Sequence, residues 1–370
     1  MMIIGVPKET KSHEYRVGLT PSSVLEITKR GHKVLIESTA GVGIGASDQE
    51  YIDSGAEIAE NAKDIFAVAK MIVKVKELQP EEYDLINENH ILFTYLHLAP
   101  DLTQADSLIA SGAAAIGYET ITDDAGTLPL LTPMSEIAGR ISIQIGAHYL
   151  EAPQGGSGVL LSGAHGVRPG HVMVIGGGAV GINAARIALG IGAEVSILDN
   201  NTVRLKEIDE IYKGNLSTIY STESTIESEL KKSDLVIGAV LVAGASAPKI
   251  VTKDMLSLMK PNSVMIDVAV DQGGCFETTR PTSHDDPIFK VDTITHYAVG
   301  NMPGAVPHTS NYALNNATLP YVLKLADKGL DALKEDQNFL NGLNVYKGKI
   351  THKAVADALG KDFADPAELL

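Results

Sequence analysis

Residues Val172 to Asp199, VMVIGGGAVGINAARIALGIGAEVSILD, constrain the fold more tightly than any other stretch of this 370-residue chain. Val172 to Ile175 is an uninterrupted apolar run, the pattern of a parallel strand covered on both faces. Gly176, Gly178 and Gly181 then form G-x-G-x-x-G. The first glycine permits a tight turn, the second lets backbone approach a pyrophosphate, and the third lets the following helix pack close to the strand. Phosphate would rest on free N–H groups at that helix's N-terminus. Glu194 to Leu198 reads as the second strand, and Asp199 closes it where a ribose hydroxyl needs an acceptor. A carboxylate there favours NAD, because it repels a 2′-phosphate. The glycines alone also fit a turn with no ligand; strand before, helix after and an acid at the right distance point to a nucleotide site.

A chain of this length holds two domains of ordinary size. Its 46 acidic and 30 basic residues leave a net charge of -16, which argues against binding a nucleic-acid backbone and for solubility. A single cysteine excludes an internal disulfide and a cysteine-cluster metal site, as in a reducing compartment. The opening MMIIGVPKE shows neither a long apolar segment nor a cleavage signal, and the uncharged run Leu235 to Pro248 is too short to span a bilayer. The expectation is a cytosolic enzyme with no membrane and no nucleic-acid partner.

Up to about residue 130 the sequence alternates candidate strands (Ile3 to Val6, Lys33 to Ile36, Met71 to Val75, Ile91 to Leu96, Ala113 to Tyr118) with helical stretches. One helix opens at Thr20-Pro21, a capping threonine before a proline in the first helical position. This rhythm implies a mostly parallel sheet, whose ligands bind beyond the carboxyl ends of its strands. Those ends carry Arg16, in the polar loop after the first strand, Lys76, at the tip of the third, and His97, at the end of the fourth. Read singly, the two cations fit solvated loop charges and the histidine a core residue. Together, a guanidinium and an ammonium can clamp a carboxylate while an imidazole exchanges protons beside it.

Thr132-Pro133 starts a long helix with Ile137, Ile141, Ile145 and Tyr149 on one stripe, leading to the dinucleotide stretch. Beyond Asp199, Leu235 to Val240 and Ser263 to Val270 read as strands, with a short one at Thr218 to Ser221. Asp271 follows the last, either as a turn aspartate before Gly273-Gly274 or as an acid near the nicotinamide. Cys275 has no base paired with it in sequence and reads as a buried thiol; His284, Asp285 and Asp286, between prolines, read as a loop rather than a metal site, so no metal is expected. Pro307 opens a second long helix to about Lys328, with Leu314, Thr318, Tyr321 and Leu325 on one stripe and Gly329 as terminator. The expected fold is α/β: two Rossmann-like domains with mostly parallel sheets, joined by two long helices. Residues 1–131 plus 307–370 form a discontinuous substrate domain, and residues 132–306 the NAD-binding domain.

The blocks VPKETKSHEYRVGLTP, KVKE, LFTYLHLA, PMSEIAGR, VIGGGAVG, DVAVDQGGCFE and NMPGAVPHTS, in this order along nearly the whole chain, resemble the alanine dehydrogenases. The resemblance implies reversible, NAD-linked oxidative deamination of L-alanine to pyruvate and ammonium. It implies that Arg16 and Lys76 bind the substrate carboxylate, and that His97 is the proton donor and acceptor with Asp271 as the second catalytic group. For the cofactor it implies Ser135, Ala179, Val180 and Asp199, with the motif glycines 176, 178 and 181, and further contacts at Arg204, Ser221, Val240, Arg280, Asn301 and Met302. It also implies a homo-oligomer, a hexamer. Two competing readings are a 2-hydroxy acid dehydrogenase, whose histidine would be His296 or His308, and an NAD(H)-binding module like that of proton-translocating transhydrogenase.

Overall fold

The computed structural model describes residues 1–240 and 247–370, so the run Leu235 to Pro248 lies partly outside the described residues. The chain divides into two compact units, Met1–Met134 with Val306–Leu370, and Ser135–Ala305. In chain order the strands of the first unit are β1 (Ile3–Val6), β2 (Lys33–Glu37), β3 (Glu57–Ala59), β4 (Met71–Val73), β5 (Ile91–Thr94) and β6 (Ala114–Gly117). The second unit contributes β7 (His171–Ile175), β8 (Glu194–Asp199), β9 (Ser217–Tyr220), β10 (Leu235–Gly238), β11 (Val264–Asp267), β12 (Ile288–Val291) and β13 (Ile294–Tyr297). The chain then returns to the first unit with β14 (Leu343–Tyr346) and β15 (Lys349–Ile350).

Both sheets share one construction. The first runs β15-β14-β6-β5-β4-β1-β2-β3 and the second β12-β13-β11-β10-β7-β8-β9. Six neighbouring strands in each are parallel, in the doubly wound order 3-2-1-4-5-6, with antiparallel strands added at one edge. The winding reverses between β1 and β4 in one sheet and between β7 and β10 in the other, which opens a crevice at the carboxyl ends of those strands. The central strands are buried on both faces; every residue of β7 is, which is why it reads as a continuous apolar run.

Local chemistry sets the helices that frame these crevices. Thr20 Oγ1 accepts the Ser23 N–H and Pro21 occupies the first helical position of Pro21–Lys29. Helix Thr132–Tyr149 buries Ile137 and Ile141, and helix Pro307–Lys328 buries Leu314, Thr318 and Leu325 before ending at Gly329. Asn311 and Asn315 on the latter accept the backbone N–H groups of Val17 at 2.8 Å and Thr20 at 2.9 Å, tying down the loop after β1.

Several strands stop earlier than their apolar runs. β5 ends at Thr94 rather than Leu96, and β11 ends at Asp267 rather than Val270, because the Asp267 carboxylate turns the chain by accepting the Ala269 N–H at 3.1 Å. Asp271 therefore lies in a separate 3-10 turn, Val270–Gln272, not at a strand end. The short strands β3, β12, β13, β14 and β15 carried too little periodicity to be read. No helix among the described residues is long and apolar enough to cross a membrane.

Candidate active site

In the first unit, the crevice between β1 and β4 gathers charge. Arg16 is buried, and its guanidinium meets the Glu14 carboxylate twice, Nε to Oε1 at 2.6 Å and Nη2 to Oε2 at 2.5 Å, while Nη1 lies 3.0 Å from Met134 Sδ. Burial by itself would raise the Glu14 carboxyl, but Arg16 outweighs it and holds that pKa below the usual range. Lys76, also buried, has its pKa lowered, first by burial and then by the nearby Arg16 charge. Its backbone is fixed on both sides: Glu9 Oε1 accepts the N–H groups of Val75 at 2.6 Å and Lys76 at 3.2 Å, and Thr94 Oγ1 donates to the Lys76 carbonyl at 2.8 Å. Lys74, two residues earlier, is enclosed between Glu82 at 2.8 Å and Glu9 at 3.4 Å. Burial opposes its charge, and the two carboxylates more than restore it. These lysines therefore do different work, one neutralised inside the unit and one beside the guanidinium.

His97 is exposed and adopts φ 48°, in the left-handed region that non-glycine residues rarely occupy. Glu119 holds it there, with Oε1 accepting the His97 N–H at 2.6 Å and both oxygens accepting the Leu96 N–H at 3.1 and 3.2 Å. The imidazole stacks on Tyr95, centroids 5.8 Å apart and planes 14° apart, and the Tyr95 hydroxyl donates to the Leu130 carbonyl at 2.6 Å. Sequence reading missed Glu14, Glu9 and Glu119 as parts of this site. Only the proximity of Glu14 to Arg16 in sequence signalled any of them.

In the second unit, a cleft of about 900 Å³ opens over the glycine turn. Its walls include Ser135, Gly176, Gly178, Ala179, Val180, Asp199, Ser221 and Val240, so these sequence candidates converge. Gly176 has φ 103°, and a Cβ on Gly181 would stand 1.8 Å from the Gly176 carbonyl oxygen, so the helix Ala179–Gly190 can approach only with glycine there. A Cβ on Gly178, by contrast, would meet nothing within 4 Å, leaving its backbone open to the cleft at the helix N-terminus. Asp199 Oδ2 accepts the Gly177 N–H at 2.7 Å and Oδ1 that of Asn201 at 2.8 Å. Arg204 Nε donates to the Gly177 carbonyl at 2.7 Å while Nη1 pairs with Glu207 at 2.8 Å. A glycine cradle, an open helix N-terminus and a strand-end carboxylate fit a dinucleotide.

The remaining candidates lie elsewhere in this unit. Arg280 packs over the Phe289 ring at 4.4 Å, Met302 is buried, and Asn301 has φ 57°. Asp271 is exposed, and a Cβ on Gly300 would lie 2.7 Å from its Oδ1. Cys275 is buried, and burial pushes its thiol pKa well up, so it is no ready nucleophile. His296 is a core residue of β13, bonded to Thr278 Oγ1 at 2.8 Å, with its pKa lowered by burial. Among the described residues no group of three His, Cys, Asp or Glu side chains is placed to hold a metal ion.

Two doubly wound units, one with a cleft over its glycine turn and the other with Arg16 and Lys76 buried after its strands, have the build of a nucleotide-dependent α/β protein. Residues 5–138 match the family described as Alanine dehydrogenase/PNT, N-terminal domain, and residues 142–353 match its C-terminal domain. The chain belongs to the alanine dehydrogenase/PNT family. It is 53% identical to an alanine dehydrogenase of Halomonas elongata across 100% of both chains. A solved L-alanine dehydrogenase, 50% identical, superposes with a TM-score of 0.95 over 97% of this chain and 99% of its own. A transhydrogenase structure from Sinorhizobium meliloti, 21% identical, matches with a TM-score of 0.82 over 95% of this chain and 99% of its own, and so shares the fold.

Proposed function

We propose that this chain is an NAD-dependent L-alanine dehydrogenase, converting L-alanine reversibly to pyruvate and ammonium. End-to-end identity of about half with alanine dehydrogenases carries the reading. The substrate domain is assigned to residues 1–131 and 307–370, and the NAD-binding domain to residues 132–306. Bound NAD would supply the two-electron acceptor for the Cα hydrogen, held by Gly176, Gly178, Ala179 and Val180 at the pyrophosphate and by Asp199 at a ribose. Ser135, Ser221, Val240, Arg204, Arg280, Asn301 and Met302 are assigned to the rest of the cofactor.

Arg16 and Lys76 take the substrate carboxylate. Glu14 already holds the Nε and Nη2 side of Arg16, so the guanidinium is oriented before substrate arrives. Orientation of this kind replaces part of the entropic barrier. A carboxylate beside Lys76 also restores the charge that burial and Arg16 disfavour. The His97 imidazole moves a proton to and from the oxygen of the carbinolamine that water forms with the substrate imine, and the Asp271 carboxylate orients or deprotonates that water or the amine. The enzyme is read as a cytoplasmic homohexamer on the strength of the resemblance.

Purified protein mixed with NADH and pyruvate, with and without ammonium, tests this. Ammonium-dependent NADH oxidation is expected. Oxidation without ammonium would replace the reading with a hydroxy acid dehydrogenase, and tight NADH binding without turnover would replace it with a transhydrogenase-like module.

A further inference from the structure

Asp267 closes β11 with its side chain enclosed, and it gathers donors from both feet of the loop that follows. On the outgoing foot, Oδ1 accepts the Ala269 N–H at 3.1 Å. On the returning foot, Oδ2 accepts the N–H groups of Cys275 at 2.9 Å and Phe276 at 3.3 Å, together with the Thr279 hydroxyl. Between the feet lie the 3-10 turn Val270–Gln272, which contains Asp271, and Gly273 with φ 87°. The loop is gripped from outside as well: Lys249 Nζ donates to the carbonyls of Gly273 and Gly274, and the Ala247 N–H to that of Gln272 at 3.0 Å. Space for the Asp271 carboxylate is left by Gly300, where any Cβ would come within 2.7 Å of Oδ1.

We propose that Asp267 is a positioning residue for the reaction: by joining Ala269 to Cys275 and Phe276, its carboxylate sets where Asp271 presents its own. The proposal rests on the reading of Asp271 as a catalytic group. An ionised carboxylate only accepts, and five donors converge on this one, the fifth being the Cys275 thiol, whose Sγ lies 3.7 Å from Oδ1. Burial raises its pKa, and Thr279 with the three backbone N–H groups opposes that rise. Asparagine of the same shape turns an NH2 toward N–H groups that need acceptors, so the feet must part and the turn must move. A displacement near 1 Å at a reacting group costs on the order of 100-fold in rate.

The test compares Asp267→Asn, Asp271→Asn and the double variant in the full-length enzyme, reading kcat, the pyruvate KM and NADH affinity. Asp271→Asn is expected to lower kcat by about 10²- to 10⁴-fold. Asp267→Asn should lower kcat by about 10- to 100-fold with NADH affinity and pyruvate KM nearly unchanged. The double variant should be no slower than Asp271→Asn alone, because the two act as one unit. Parental turnover in Asp271→Asn would remove the catalytic reading of that residue and this proposal with it. If Asp271→Asn is slow while Asp267→Asn keeps parental kcat, or if the two losses multiply, the positioning role is overturned and Asp271 stands. Should Asp267→Asn fail to bind NADH, Thr279→Val decides: it removes one donor of the five, and a severalfold loss in kcat at unchanged NADH affinity supports the proposal, whereas parental kcat overturns it.

Discussion

Glu14 grips the Arg16 guanidinium with both carboxylate oxygens, at 2.6 and 2.5 Å, where neither side chain reaches solvent. Taking away one member of a buried ion pair leaves an uncompensated charge, at a cost of about 3–5 kcal/mol. Glu14→Ala should therefore lose about that much in urea denaturation and raise the pyruvate KM more than it lowers kcat. Unchanged stability would mean that the pair is not what keeps Arg16 in place.

The Glu119 carboxylate accepts the N–H groups of Leu96 and of the strained His97, and the imidazole leans on Tyr95. His97→Ala should lower kcat by about 10²- to 10⁴-fold with NADH binding intact. Glu119→Gln keeps one acceptor but loses the charge, and hydrogen bonds to charged groups contribute about 1.5–3 kcal/mol. Its kcat should fall by about tenfold or more, with little change in KM. Steady-state kinetics on both variants check this, and a Glu119→Gln enzyme as fast as the parent would show that the histidine needs no such clamp.

Lys76 has a pKa below that of free lysine, first through burial and then through the Arg16 charge, so its charge is lost earlier than usual as pH rises. The pyruvate KM should accordingly climb on the alkaline side while NADH affinity stays level. Because a bound carboxylate favours the ammonium form, pyruvate binding there should take up a proton, measurable by calorimetry in buffers of different ionisation enthalpy. The stability sign is opposite. A lysine depressed by folding weighs against the native state below its folded pKa, and that penalty fades as pH rises through it. A KM flat into the alkaline range would remove Lys76 from the carboxylate site.

Asp199 is already bonded to the backbone of Gly177 and Asn201, so its oxygens are fixed at the rim of the glycine turn. Asp199→Ala should weaken NADH binding by about 10- to 100-fold, the worth of a charged hydrogen bond, and improve NADPH relative to NADH with Arg204 close by. Fluorescence titration with both cofactors reads the ratio. An unmoved preference would place the ribose elsewhere.

Much of the architecture was legible in the chain because it follows from neighbours in sequence. The apolar run of β7, the glycines after it and Asp199 at the end of β8 form a pattern whose spacing alone dictates strand, turn, helix and strand. Thr20-Pro21 and Pro307 likewise mark helix starts through side-chain capping and the fixed φ of proline. That Arg16, Lys76 and His97 follow β1, β4 and β5 was readable for the same reason, since alternating β/α segments bring strand ends to one edge. β4 ends at Val73 and β5 at Thr94, however, so Lys76 and His97 lie in the loops beyond the strands rather than at their tips.

What those residues meet was decided by the tertiary structure. Lys74 and Lys76 look equivalent in KVKE, yet one is enclosed by Glu9 and Glu82 and the other stands near Arg16, because the loop after β1 folds across the end of β4. Asn311 and Asn315 hold that loop from almost 300 positions away. The two aspartates of DVAVDQGG exchange their apparent places in the same way: the apolar run suggested a strand reaching Asp271, but it ends at Asp267, whose carboxylate captures both feet of the next loop. Periodicity, turns and caps are short-range and are written in consecutive residues. The pairing of buried polar groups depends on which distant backbone donors arrive beside them, and that is settled only when the sheets and helices pack.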